Sequence, residues 1–256
     1  MNSAWQTCQN GPVLISMLNR CTIYYIMNSN IPQHVAIIPD GNRRWARKHG
    51  LPRLRGHEVG AERMFQTIEH LMNSGVRFVT VWGFSTDNWK RQEDEISSLF
   101  RLVDIWIRKN ADWAQEHKIQ LRYIGRLQEL PLNLQEVIQK AVTLTENNDR
   151  LILNLAFNYS GRTEIIDAVN KLLAEHPANP VDEKIFSHHL YTDGVPDVDL
   201  VIRTAGEFRI SNFMLWQTAY SEFYFSPVCW PDFDTVELDK ALAAYGQRER
   251  RLGGDG

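Results

Sequence analysis

The chain has 256 residues, 43% of them hydrophobic, and a formal net charge of −3. This length and apolar content allow a full hydrophobic core in one large or two small domains. The slightly acidic balance argues against a general nucleic-acid binder, and no apolar run reaches the roughly 18–20 residues that a membrane span requires.

The cysteines and the N-terminal segment bear on the setting and the domain organisation. Cys8, Cys21 and Cys229 are widely spaced and form no CxxC or Cys/His cluster, so we predict neither a disulfide framework nor a zinc site, and we expect a reducing, cytoplasmic setting. The start of the chain lacks the basic residues and the small-residue cleavage site of a signal peptide. We predict residues 1–30 to be a poorly ordered extension and residues 31–256 to form one domain.

The first half of the chain alternates short apolar runs with longer helical periods. Val35–Ile38 predicts a strand, and Gly56–Ser74 predicts the helix that follows it. The continuous apolar run of Val76–Phe84 is typical of a buried parallel strand. A long helix over Glu93–His117 and a third strand over Ile119–Ile124 complete this half.

The second half repeats the same alternation. A helix over Leu132–Glu146 precedes a strand over Leu151–Phe157 and a further helix over Thr163–Ala174. Two short strands and a final helix are then predicted, over Asp199–Arg203, Ser221–Phe225 and Thr235–Arg251. This rhythm predicts an α/β fold in which a mostly parallel central sheet is flanked by helices in a single domain.

Polar and basic side chains follow four of the predicted strands. Parallel sheets bind ligands beyond the carboxyl ends of their strands, so these loops predict an anion-binding cleft. Asp40, a lone carboxylate among amide and guanidinium donors, suits a divalent cation held against a phosphorylated ligand. For Asp40 alone, an ordinary β-turn before a solvated basic helix is an equal alternative. The four loops are Asp40–Trp45, Ser85–Arg91, Asn158–Arg162 and Arg203–Asn212.

Other motifs are absent or have simpler explanations. The sequence contains no GxxxxGK[ST], GxGxxG or GxSxG pattern, which removes support for nucleotide binding and for a hydrolase nucleophile. We assign the acidic run Glu93–Glu95 to favourable charge at a helix N-terminus. Asp197 and Asp199 precede a strand, so we assign them a structural role.

The helix predicted over 93–117 carries much apolar bulk on one face, including Phe100, Trp106 and Trp113. Core packing explains most of these side chains. A helix of this kind beside a phosphate site is equally suited to line a hydrocarbon tunnel, and the sequence leaves both interpretations open.

Five ordered blocks of the chain resemble the motifs of the cis-prenyltransferases, most closely those of bacterial undecaprenyl diphosphate synthases. The resemblance extends from Pro32 to Gly254. It implies a Mg²⁺-dependent prenyltransferase of isoprenoid biosynthesis with a hydrophobic tunnel beside its active site. Such an enzyme condenses isopentenyl diphosphate units onto an allylic diphosphate, usually farnesyl diphosphate. The blocks are HVAIIPDGNRRWA, GFSTDNWKR, LNLAFNYSGR, DLVIRTAGEFRISNFMLWQTAYSEFYF and WPDF…RERRLGG.

The resemblance also implies a role for individual residues. Asp40 would be catalytic and bind magnesium, Glu222 would be a second metal ligand, and Asn88 would assist proton removal. Arg203, Arg209, Ile210 and Ser211 would bind isopentenyl diphosphate. The pocket for the allylic diphosphate and its neighbouring wall would comprise Gly41, Asn42, Arg43, Arg44, Trp45, Arg53, His57, Ser85, Thr86, Asp87, Trp89 and Arg91.

The resemblance extends to assembly and product. It implies a cytoplasmic homodimer in which the tail RERRLGG reaches toward the partner's site. The expected product is undecaprenyl diphosphate, the precursor of a cell-wall lipid carrier, and its release implies peripheral contact with the membrane. No nucleic-acid partner is expected.

Two alternatives remain on the same fold. Arg43 stands where bacterial members usually have glycine, and Phe208 stands where histidine or glutamine is frequent; both departures keep a short-chain or irregular prenyl coupling enzyme open. A non-catalytic subunit of a heteromeric prenyltransferase is the other alternative. The presence of Asp40, Asn88 and Glu222 weighs against it.

Overall fold

The structure is a computed structural model that describes residues 30–177 and 180–248. Its strands form one sheet in the order β3-β4-β2-β1-β5-β6, and every neighbouring pair is parallel. β2 and β5 lie on opposite sides of β1, so ligand binding is expected at the carboxyl ends of these strands. The strands are β1 (His34–Ile38), β2 (Phe78–Ser85), β3 (Ile119–Ile124), β4 (Leu151–Tyr159), β5 (Leu200–Arg203) and β6 (Glu222–Phe225).

Helices connect the strands, as parallel pairing requires. They are α1 (Asn42–Lys48), α2 (Arg53–Asn73), α3 (Glu93–Glu116), α4 (Leu132–Thr145), α5 (Gly161–Glu175), α6 (Glu183–His188) and α7 (Thr235–Gly246). Short 3-10 helices cover Thr86–Lys90, Leu127–Glu129 and Trp230–Asp232. In the part of the chain that the structure describes, no helix is both long and apolar enough to cross a membrane.

The predicted α/β fold with a parallel sheet is confirmed. The predicted elements are all present, with ends shifted by a few residues. The final helix was predicted too long: it ends at Gly246, a residue type that disfavours helix, and not at Arg251. Helix α6 is not among the predicted elements, because six residues are too few for a helical period to show, and a helix at the place of α1 was considered only as the β-turn alternative for Asp40. Most of the predicted extension, residues 1–29, lies outside the described residues.

The side chains of β1 alternate between the two faces of the sheet, as strand geometry requires. Val35 and Ile37 pack with residues of α2 and α7, whereas Ala36 and Ile38 pack with Phe213 on the opposite face. A further cluster packs α3 and α4 against the carboxyl-terminal parts of β2 and β4. Strand β1, which leads into Asp40, is therefore anchored on both faces.

A row of polar side chains crosses the centre of the sheet. The Nδ1–H of the fully buried His34 donates to the Pro196 carbonyl oxygen (2.8 Å), so its Nε2 accepts from the Thr80 hydroxyl (2.8 Å). Asn154 Nδ2 donates to the same hydroxyl oxygen (3.0 Å). Burial lowers the pKa of His34 from 6.5 to about 4, so the ring is neutral in the folded protein at pH 7.

This burial predicts that the protein loses stability in mild acid. Between pH 6.5 and pH 4 the unfolded chain protonates His34 and the folded chain does not, so the free energy of unfolding falls as the pH falls through this window. The lowered pKa of His34 corresponds to a loss of about 3 kcal/mol in the free energy of unfolding between pH 7 and pH 4. Urea unfolding at a series of pH values measures it.

The matched comparison is His34→Gln, which removes the titrating group. Its free energy of unfolding should depend less on pH between 7 and 4, although its stability at pH 7 is also lower because a buried hydrogen-bond partner is lost. His57, whose pKa is also lowered by burial to about 4, contributes a slope of the same sign to both proteins. Identical pH dependence in the two proteins would contradict the prediction for His34.

Candidate active site

Three of the four predicted loops meet at one cavity of about 1030 Å³ at the carboxyl edge of the sheet. They follow β1, β2 and β5. In the sheet, β1 lies between β2 and β5 and pairs with both. The predicted site residues that line the cavity are Asp40, Gly41, Asn42, Arg43, Arg44, Arg53, His57, Ser85, Asp87, Asn88, Arg91, Arg203 and Ser211.

The fourth predicted loop, Asn158–Arg162, is not part of this lining. It begins in the last two residues of β4, a strand that is separated from β1 by β2. Asn158 is fully buried: its Oδ1 accepts from Trp89 Nε1 (2.8 Å) and its Nδ2 donates to the Arg126 carbonyl oxygen (3.1 Å). The interpretation of this loop as an anion-binding element is therefore wrong, and Asn158 supports the neighbouring turn instead.

Asp40 is held at the centre of the cleft by its backbone and its carboxylate. Its carbonyl oxygen accepts from the Thr204 hydroxyl (2.7 Å) and from the backbone N–H of Trp230 (3.0 Å). Its Oδ1 accepts from the N–H of Gly41 (2.8 Å), and its Oδ2 accepts from Arg203 Nη2 (2.9 Å). Each carboxylate oxygen keeps a further lone pair for a ligand.

Gly41 allows the chain to turn sharply after Asp40. Its φ is +100°, and a Cβ at this position would lie 2.7 Å from Ala205 Cβ and 3.0 Å from Cys229 Sγ. A side chain here would therefore push the loop after β1 away from the loop after β5.

Arg203, the last residue of β5, is a nearly buried cation beside Asp40, with 4% of its side chain exposed. Besides Asp40, it donates to the Ser211 hydroxyl (2.8 Å) and to the Arg209 carbonyl oxygen. Its Nε is a buried donor with no hydrogen-bond partner among the described residues. Ser211 has a left-handed backbone (φ 51°), which turns this loop back toward the guanidinium.

Glu95 gathers three arginines on the opposite wall. Its carboxylate lies 3.2 Å from Arg91, 3.7 Å from Arg43 and 3.9 Å from Arg53, each measured between nitrogen and oxygen. Desolvation lowers the pKa of Arg91, which remains a cation at neutral pH. The predicted position of Glu93–Glu95 in the first turn of a helix is confirmed, but Glu95 also orients the cationic wall.

His57 and Asn42 present polar atoms that have no protein partner. His57 Nε2 and Asn42 Oδ1 are buried and make no hydrogen bond among the described residues, although both side chains line the cavity. Burial, and secondarily the charge of Arg91, lowers the pKa of His57 to about 4. His57 is therefore a neutral imidazole at the cavity, whereas Asn42 Oδ1 lies against Gly60, where a Cβ would be only 2.4 Å away.

The 3-10 helix after β2 is stabilised by a reciprocal cap. Ser85 Oγ accepts from the N–H of Asp87 (3.1 Å), and Asn88 Oδ1 accepts from the N–H of Ser85 (3.0 Å). This cap holds Asn88 at the wall of the cavity, and its amide oxygen keeps one lone pair.

Several predicted binding residues do not line the cavity. Trp45 donates to Asp232 (2.7 Å) and packs on His49, while Trp89 packs on Phe84 and Phe100. Thr86, Arg209 and Ile210 are likewise outside the lining set. Sequence reasoning did not assign Arg47, which does line the cavity. Its i+4 spacing from Arg43 on a helix was the available signal.

Glu222 lies far from Asp40 in the described chain. It is the first residue of β6 and pairs with Leu200, whereas Asp40 follows Ile38, which pairs with Arg203. Leu200 and Arg203 are about 10 Å apart along the strand, and Asp40 is beyond Arg203. The carboxylate of Glu222 accepts from Arg248. The two carboxylates of one chain therefore cannot share a metal ion, and Glu222 as a second metal ligand stays a prediction that requires the partner chain of the predicted homodimer.

The cavity continues from the polar loops into an apolar chamber between the sheet and helices α2, α3 and α4. Trp106 of α3 lines this chamber. The apolar face of α3 therefore lines a cavity as well as packing in the core, the two interpretations that the sequence left open. Gly83 also lines the chamber, and a Cβ there would lie 2.9 Å from Phe157 Cδ2. The apolar lining includes Met64, Ile68, Leu99, Leu102, Val103, Ile107, Leu121, Ile138, Val142, Leu153, Leu155 and Phe157.

This arrangement defines a class of protein: an α/β protein that binds ligands with an anionic head and a long hydrocarbon tail. The head would meet arginines and one carboxylate at the sheet edge, and the tail would enter an apolar chamber.

Comparisons with known proteins agree with this class. Residues 38–253 match the family model of undecaprenyl diphosphate synthase. An isoprenyl transferase of Fusobacterium nucleatum is 50% identical over 228 residues, covering 89% of this chain and 98% of the relative. An isoprenyl transferase of Bacillus subtilis is 43% identical over 251 residues, covering 96% of both chains.

Two solved structures share the fold. Lavandulyl diphosphate synthase from Lavandula x intermedia, in complex with dimethylallyl diphosphate, has a TM-score of 0.83 and 37% identity, covering 87% of this chain and 98% of that one. A probable undecaprenyl diphosphate synthase from Campylobacter jejuni has a TM-score of 0.75 and 31% identity, covering 88% and 99%. The chain belongs to the undecaprenyl diphosphate synthase family and is a prenyltransferase.

Proposed function

We propose that this prenyltransferase elongates an allylic diphosphate, farnesyl diphosphate, with isopentenyl diphosphate in a Mg²⁺-dependent reaction that forms cis double bonds. Its product would be undecaprenyl diphosphate, the precursor of a cell-wall lipid carrier. The observation that carries the proposal is the single cavity of about 1030 Å³ that joins the arginine-lined sheet edge to the apolar chamber.

Two cationic sets suit two diphosphates. Arg43, Arg44, Arg53 and Arg91 line one part of the cleft together with His57 and Asn42, and they would bind the allylic diphosphate. Arg203, Ser211 and Arg209 would bind isopentenyl diphosphate on the other side of Asp40. Cations placed at the leaving group stabilise the charge that develops there when the allylic carbon–oxygen bond ionises. The apolar chamber would exclude water from the resulting carbocation.

The single carboxylate of Asp40 suits Mg²⁺ that is bound jointly by the protein and the diphosphate, and not a metal ion held by protein side chains alone. Among the described residues no group of three or more His, Cys, Asp or Glu side chains forms a metal site. Mg²⁺ is usually bound by one or two carboxylates together with phosphate oxygens and water, so Asp40 alone is sufficient on the protein side. The bound ion would neutralise diphosphate charge during ionisation.

Asn88 would act at the end of each addition. Removing a proton next to a carbocation needs only a weak base, and the free lone pair of Asn88 Oδ1 meets that need, as does the departing diphosphate. Ser85 and Asp87 hold the turn in place through the cap already described.

A short-chain or irregular coupling enzyme is the second candidate. The similarity to a lavandulyl diphosphate synthase favours it. So does Phe208, which is 78% exposed and offers no polar group to the cleft where histidine or glutamine is frequent. The extent of the apolar lining supports elongation instead, because a short product would leave most of that lining unused.

We further propose a cytoplasmic homodimer with peripheral membrane contact during product release. The free edge of β6 in the described sheet and the exposed side chains of Tyr220 and Phe208 support an interface there. Residues 31–256 would form the catalytic domain. The tail that would reach the partner's site lies, after Arg248, outside the described residues.

The test is an incubation of purified protein with Mg²⁺, farnesyl diphosphate and radiolabelled isopentenyl diphosphate, followed by separation of the products by chain length. We expect a ladder that ends near the undecaprenyl product and disappears when EDTA removes the metal. A product that stops after one or two additions would favour the second candidate. No incorporation with any allylic starter would indicate a subunit that needs a partner.

A further inference from the structure

Glu207 connects the two arginine sets that we propose for the two diphosphates, although Glu207 and Arg209 lie outside the residues that line the cavity. Its Oε1 accepts from Arg44 Nη2 (2.6 Å), and its Oε2 accepts from Arg209 Nη1 (2.6 Å). Arg44 belongs to α1 on the allylic side, and Arg209 belongs to the loop after β5 on the isopentenyl side. One carboxylate therefore holds one arginine from each proposed subsite. Sequence reasoning assigned no role to Glu207.

The backbone around Glu207 is held firmly. The N–H groups of Ala205 and Gly206 donate to the carbonyl oxygens of Val228 (2.7 Å) and Ser226 (2.8 Å). Arg44 Nη1 also donates to the Ala205 carbonyl oxygen (2.7 Å). Only side-chain rotation is thus needed for Glu207 to keep one arginine and leave the other.

The two arginines are accessible to another anion. The side chain of Arg44 is 49% exposed and that of Arg209 is 60% exposed, whereas that of Glu207 is 22% exposed. The hydrogen bonds from both arginines lower the pKa of Glu207, which is ionised at neutral pH. A diphosphate offers the same guanidinium groups a larger charge and more acceptor oxygens.

We propose that Glu207 is the shared counter-ion of the two diphosphate subsites and competes with diphosphate for Arg44 and Arg209. The proposal rests on the proposed function. In repeated elongation, the lengthened chain carries the diphosphate that entered with isopentenyl diphosphate, and this group must move from the Arg209 side to the Arg44 side. As the diphosphate moves, Glu207 pairs with the arginine that the diphosphate has left. Because Glu207 competes for both arginines, neither subsite holds the diphosphate too tightly.

Glu207→Gln tests the competition because it keeps the shape and removes the charge. Calorimetric titration of the full chain with inorganic diphosphate and Mg²⁺ should show about tenfold tighter binding to the variant, since a negative charge near the ligand is lost. The gain should shrink as the salt concentration rises. In turnover, KM for the diphosphate substrates and kcat should both fall, because the diphosphate is released and transferred more slowly.

Two controls separate this role from a structural one. Glu207→Asp keeps the charge and should bind diphosphate nearly as the unmodified protein does. Glu58→Gln makes the same change in a carboxylate that pairs with Arg55 outside the cavity, and it should not alter diphosphate binding. Unchanged or weaker diphosphate binding by Glu207→Gln would overturn the proposal, as would tighter binding by Glu207→Asp. The titration needs no turnover, so it gives its answer even if the elongation assay fails.

Discussion

Asp40→Asn is expected to lower kcat for prenyl transfer by on the order of 10³-fold, because several kcal/mol of charge stabilisation depend on its carboxylate. The amide oxygen can still accept from the N–H of Gly41, which holds the loop after β1, but the NH2 group then faces Arg203 Nη2, which is also a donor, so the contact with Arg203 is lost. Steady-state assays at increasing Mg²⁺ concentration measure the effect. High metal concentration should restore only part of the activity.

Asp239→Asn is the matched control for this change. Asp239 is a partly exposed carboxylate that pairs with His70 on the far side of α2 and is not part of the cavity lining. It should leave kcat and the Mg²⁺ requirement as they are. Full activity in Asp40→Asn would rule out a metal role for this residue.

Arg203→Met should reduce both activity and stability. Methionine approximates the length of the side chain but leaves the Ser211 hydroxyl, the Arg209 carbonyl and Asp40 without their donor. We expect the free energy of unfolding to fall by about 2 kcal/mol, less than for a fully buried ion pair because Asp40 is partly exposed. KM for isopentenyl diphosphate should rise by roughly 100-fold, which corresponds to about 3 kcal/mol.

Arg203→Lys distinguishes charge from geometry at this position. Lysine keeps the positive charge but cannot reproduce the fork that contacts Asp40 and Ser211 together, so only part of the affinity should return. The combined effect of Asp40→Asn and Arg203→Met should be smaller than the sum of the single effects, because the two residues are direct partners. Strict additivity would show that the pair does not act as a unit.

Much of the fold was predictable because its signals are local. The continuous apolar runs of β1, β2 and β4 and the one-sided apolar pattern of α3 were sufficient to place these elements within a few residues. The short helix α6 was missed and α1 was considered only as an alternative, since each makes fewer than two turns.

The candidate site was predictable in part, because residues that directly follow neighbouring strands must meet at one sheet edge. Asp40, Asn88 and Arg203 were identified in this way, and all line the cavity. The same reasoning failed for Asn158, because the sequence does not reveal the order of the strands, in which β2 separates β4 from β1.

The amino-acid sequence by itself determined the parallel α/β fold, the family and the residue types at the sheet edge, because hydrophobic periodicity and motif spacing are properties of short stretches of chain. Only the tertiary structure decided which of those side chains meet. Glu207 joins Arg44, 163 positions away, whereas Glu222 is separated from Asp40 by the register of β5 and β6. Such pairings depend on strand order and register across the whole sheet, and no local pattern encodes them.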